Sequence, residues 1–125
     1  MNVNNEPTTI GLSDGAHSKL QQLKEENYFA EMADGYRFAI ALALAHGASA
    51  PAVTGGRGTI FNVGTLDPDR GIYAAVSALR ETVDEPVYRT AARLAEWGVE
   101  ELYRRTRDGR FSFADILSEA ESLQG

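Results

Sequence analysis

The spacing of apolar residues changes several times along the chain, and each change marks an element. Residues 8–12 (TTIGL) alternate, with Ile10 and Leu12 on one face and Thr9 and Gly11 on the other, which predicts a short strand. Ser13 is a good N-cap, and Ala16, Leu20 and Leu23 then recur at helical spacing, predicting a helix over residues 14–26. After a break at 27–30, nearly every position from Tyr36 to Ala45 is apolar, Arg37 excepted. This predicts a helix over 31–46 buried on most sides, which would be the element the chain is organised around. His46 at the negative end of the dipole, Gly47 and Pro51 end it. The segment is too short and too rich in alanine to span a bilayer, which needs about 20 apolar residues.

Beyond a Gly/Ala/Pro-rich loop, residues 59–63 (TIFNV) form a candidate second strand. Asp67 as N-cap and Pro68 at N1 predict a helix start, with Ile72, Val76, Leu79 and Val83 as its stripe. A longer helix is predicted over 86–107. Val87, Ala91, Leu94, Gly98 and Leu102 form one stripe, and Tyr88, Ala92, Ala95 and Val99 lie beside it. Ser112 with Asp115, and Phe111 with Ile116, predict the cap and staple of a last helix ending near Leu123. The expected class is mainly α, with about five helices and one or two short strands. The expected organisation is a disordered arm (1–7) and a single domain (8–125). That domain divides into a ribbon-helix-helix-like core (8–47), a Gly-rich loop with a possible strand (48–66) and C-terminal helices (67–125).

Composition narrows the chemistry. The 125 residues contain no Cys, which removes disulfides and thiolate zinc sites, and no signal peptide is visible, so the cytoplasm is expected. Twelve Lys and Arg against eighteen Asp and Glu leave a net charge of -6, which argues against tight non-specific DNA binding. The basic residues are uneven, with Arg104, Arg105, Arg107 and Arg110 in one stretch. They form a candidate phosphate patch, or a set of cations favoured by a helix C-terminus. Arg57, in Gly55-Gly56-Arg57-Gly58, is a further candidate phosphate contact, although the Lys-Ser/Thr ending of a P-loop is absent.

No nucleophile elbow, metal-ligand helix pair or dinucleotide fingerprint is present. His17 reads as a surface residue and His46 as a dipole partner. Glu96, Glu100 and Glu101 read as an Arg-paired helix face rather than a metal site. Trp97, Tyr88 and Tyr103 read as packing residues. The expectation is a protein that is not an enzyme and holds neither cofactor nor metal.

The order strand, capped helix, break, buried helix is that of ribbon-helix-helix modules. In these, two copies pair their strands and pack their second helices across a two-fold. Ile10, Leu12, Tyr36, Ile40 and Leu44 would then form the oligomer interface, and Thr9 would face a DNA groove.

Thr9-Ile10-Gly11-Leu12-Ser13, then Leu20, Leu23 and Lys24, then the run from Arg37 to Ala45 (RFAIALALA), resemble the N-terminal half of the DndE family of bacterial DNA sulfur-modification systems. The resemblance covers roughly the first third of the chain. It implies a small, mainly helical, oligomeric protein working on or beside DNA in a modification or phage-defence setting, with Lys19 and Lys24 at the positions of the family's lysine-rich DNA surface. The expected function is a non-enzymatic, DNA-associated accessory or regulatory protein acting as a homodimer or homotetramer. The alternative is an acidic protein-assembly subunit that binds a larger partner without touching nucleic acid. No membrane partner is expected.

Overall fold

The computed structural model describes residues 6–48, 57–79 and 85–109, apart from the side chain of Arg57. In chain order the elements are β1 (Thr9–Ser13), α1 (Asp14–Glu25), α2 (Met32–Ala45), β2 (Arg57–Asn62), α3 (Val63–Leu66), α4 (Gly71–Leu79) and α5 (Val87–Arg107). The class is mainly α, as expected. Arg110 and the helix expected over 112–123 lie outside the described residues.

The local signals for α1 and α2 act as anticipated. Ser13 Oγ accepts from the amide of Ala16. α1 ends through Asn27, whose φ of 68° is left-handed, with Tyr28 N–H donating back to Leu23. α2 ends in the same way at Gly47, φ 61°, with Ala48 N–H donating to Ala43.

β1 finds its partner in its own chain. It pairs antiparallel with β2, Thr9 opposite Asn62, Ile10 opposite Phe61, Gly11 opposite Thr59 and Leu12 opposite Gly58, so Ile60 is an extra residue in β2. The strand-helix-helix order is therefore present, but its strand is already paired in the way that competes with a ribbon between two copies. Gly11 is buried, not outward-facing as the alternation suggested. A Cβ there would sit 1.7 Å from the carbonyl oxygen of Gly58, and only glycine admits so close a strand.

The organising element is α5 rather than α2. β1, α1, α2 and α4 all pack against α5, and its contact with α2 is the most extensive between helices. The two helices cross on small residues. Ala39 and Ala43 of α2, and Ala91, Ala95 and Gly98 of α5, are almost fully buried. A Cβ on Gly98 would lie 2.1 Å from the carbonyl oxygen of Ala39. α2 is not enclosed on every side, since Asp34 and Ala41 are exposed and Arg37, Leu44 and Ala45 half-buried.

The residues expected at a subunit interface are largely spent inside one chain. Ile10, Leu12, Tyr36 and Ile40 are core residues, each no more than 4% exposed, and only Leu44 is half-buried. Tyr36 donates its hydroxyl to the Gly11 carbonyl at 2.9 Å and meets Phe61 edge-on, pinning the ribbon to α2. No helix among the described residues is long and apolar enough to cross a membrane.

Candidate functional site

Among the described residues, most of the anticipated cationic contacts are engaged by carboxylates. α1 and α5 lie side by side, joined by a row of polar bridges. Ser13 donates from its amide and hydroxyl to Glu96, Lys19 bridges Glu100 at 2.6 Å, Tyr103 donates to Gln22, and Arg107 pairs with Glu26. The last three pairs share one sequence separation, 81 residues, as two helices running in step require.

Arg104 and Arg105 both close on Glu101, and Arg104 also reaches Asp108. Burial pushes the Glu101 carboxyl up, but the hydrogen bonds from Arg104 and Arg105 outweigh it and hold it below the usual carboxylate range. The hydrogen bond from Arg107 does the same for Glu26. Thus Lys19, Arg104, Arg105 and Arg107 are parts of an internal ionic frame. Of the other expected contacts, Thr9 and Lys24 are exposed. The acidic residues Glu96, Glu100 and Glu101 are tied to Ser13, Lys19 and the two arginines, and no cluster able to hold a metal occurs among the described residues. Trp97 is half-buried with its ring 5.8 Å from His46, a packing position as expected.

Two clefts open beside the start of the ribbon, separated by Pro7 and Tyr88. One, of about 180 Å³, is lined by Thr9, Ile10, Gly11, Gly58 and Thr59 of the ribbon and by Tyr88, Arg89 and Ala92 of α5. The other is lined by Glu6, Thr8, Val63, Gly64, Asp67, Pro68 and Arg70. The wall between them is held by hydrogen bonds. Glu6 accepts from the amides of Val87 and Tyr88, both at 2.9 Å, and so caps α5 from a distance in sequence. Asp67 is buried, and its carboxylate accepts from the amides of Ile72 and Tyr73 and from the Tyr88 hydroxyl. Asp67 therefore caps α4, as its sequence suggested. The helix begins at Gly71 rather than Pro68, because residues 68–70 form a turn ending in left-handed Arg70, φ 59°.

Burial, reinforced by the Asp67 carboxylate, pushes the Tyr88 phenol up to about 12. A raised phenol favours the neutral form in the fold, so its contribution to stability is intact below pH 10 and is lost as the pH rises from about 10 to about 12. The loss expected from a shift of this size is about 2 kcal/mol. Urea midpoints measured on either side of pH 10 should fall more steeply for the wild type than for Tyr88→Phe. Equal slopes would show that the phenol is not held this way.

Local sequence reading missed Arg89 and Arg70. Arg70 lies 4.2 Å over the Tyr73 ring. Arg37, Arg93, Arg104, Arg105 and Arg107 all face carboxylates. Among arginines with described side chains, Arg89 alone has neither a carboxylate nor a ring partner. Only the ion-pair pattern of the fold reveals this.

A separate surface is apolar. Seven of the nine residues of α4 (GIYAAVSAL) are apolar, yet only Val76 is buried, and Leu79 is 60% exposed. Ala74, Ser77 and Ala78 are exposed beside it.

Compared with family models, curated proteins and solved structures, the chain matches none of them.

Proposed function

We propose that this chain is a non-enzymatic assembly subunit that associates with a second copy of itself through α4. The observation that carries the reading is a helix rich in apolar residues with a single residue buried in its own subunit. Charge favours a second copy as the occupant. The chain carries a net charge of -6, so two copies repel overall and least across an uncharged surface, and α4 contains no charged residue whereas α1, α2 and α5 all do. Exposed Ala74, Ser77 and Ala78 would let two such helices approach closely about a two-fold.

The nine described residues of α4 are only about 13 Å long. One pair of such faces falls short of the roughly 1,000 Å² typical of stable interfaces, so the dimer should be weak and concentration-dependent. Light scattering over a concentration series should show mass rising towards two copies. Leu79→Glu should remain monomeric with an unchanged thermal midpoint, because Leu79 lies outside the core. A wild type that stays monomeric at every concentration would sink the proposal. The resemblance of residues 9–45 to the DndE family supports an assembly working beside DNA. The engagement of Lys19, Arg104, Arg105 and Arg107 by carboxylates weighs against direct DNA contact through them.

A further inference from the structure

The cleft between the ribbon and the first turns of α5 has the chemistry of an oxyanion site, and we infer that it binds a phosphoryl group. Arg89 supplies the charge. In a chain with more carboxylates than cations, five other arginines have found an acid, whereas Arg89 is exposed on the cleft wall without one among the described residues. It is also placed against the helix dipole, at the third residue of α5, where a cation is disfavoured and an anion beside it would be favoured.

Thr9 and Thr59 line the same cleft from the two strands. Both residues are exposed, and neither hydroxyl has a hydrogen-bond partner among the described residues. One guanidinium and two hydroxyl donors suit the oxygens of a phosphate, and arginine can engage two of them at once. Gly11 and Gly58 complete the strand side of the wall. Two defined acids stand at the start of α5 and both are engaged: Glu6, which lines the neighbouring cleft, by the amides of Val87 and Tyr88, and Glu85 by Thr90 and Arg93. The site is separate from α4 and stands whether or not the chain dimerises.

The test uses the full chain and two probes, inorganic phosphate and a dinucleotide with a single phosphodiester and no terminal phosphate. Each is titrated by amide NMR against chloride at matched ionic strength. Saturable shifts confined to residues 9–11, 58–59 and 88–92 are expected for at least one probe. Its affinity should be about tenfold or more weaker in Arg89→Gln, the loss of one charge-assisted contact. Arg37→Gln, a cation away from the cleft that pairs with Asp34, should bind as the wild type does. Binding of phosphate alone would identify a free or terminal phosphate as the ligand, and binding of the dinucleotide a nucleic-acid backbone. No saturable shift with either probe, or shifts unchanged in Arg89→Gln, would overturn the assignment.

Discussion

Replacing Gly98 with alanine should cost about 3 kcal/mol or more, a large part of the 5–15 kcal/mol by which a domain of this kind is stable. Two effects oppose each other at this position. Within a helix, alanine is favoured over glycine by about 1 kcal/mol. Against that, the added methyl would lie 2.1 Å from the carbonyl oxygen of Ala39, 2.5 Å from its carbonyl carbon and 2.7 Å from its Cα. All three atoms are backbone, so no side chain can turn aside, and α2 must back away from α5 along the most extensive helix contact in the fold. The steric effect wins. The measurement is the urea midpoint, with Gly15→Ala as the control, because a Cβ at Gly15 meets nothing within 4 Å. The control should be neutral or slightly stabilising. A Gly98→Ala protein with a wild-type midpoint would mean that the two helices do not meet this closely.

Asp67→Ala should be the other severe substitution, at about 3 kcal/mol. The carboxylate accepts three hydrogen bonds in a place where it is only 4% exposed, and its removal strands the amides of Ile72 and Tyr73 and the hydroxyl of Tyr88. A buried donor left without an acceptor costs about 1–3 kcal/mol, and water entering the vacated space recovers part of the total. Asp67→Asn keeps one acceptor oxygen and should fall between. The double substitution Asp67→Ala with Tyr88→Phe removes both ends of one bond, so its cost should be less than the sum of the two singles. Strict additivity would show that the Tyr88–Asp67 bond contributes nothing to the fold.

What could be read from the sequence was what neighbours in sequence decide. Ser13, Asn27 to Ala30, Gly47 and the C-terminal end of α5 are set by caps and breakers within a few residues, and they stand within a residue or so of expectation. Asp67 was recognisable as a cap, but its reach to Ile72 and Tyr73 across an extra turn was not. The partner of β1 was open, because alternation shows that a strand exists and not what lies beside it. The charges were the hardest to read. Lys19 and Arg107 look like free surface cations until the fold brings Glu100 and Glu26 to them from 81 residues away. The same blindness hid Arg89, which is distinguished by what does not reach it. The apolar character of α2 was plain in the sequence, but not that much of it meets α5 inside the subunit.

The registry of α1 with α5 also bears on how the chain is made. A ribosome adds about 5–20 residues each second, so the 81 residues separating Lys19 from Glu100 take between about 4 and 16 s to appear. During that interval β1, α1 and α2 are completed without the helix that covers them, and Leu20, Leu23 and Ile40 have no completed core to enter. Until α5 emerges these side chains lack the face they are buried against in the finished fold, and a message truncated before Val87 is expected to yield a polypeptide that cannot complete this core.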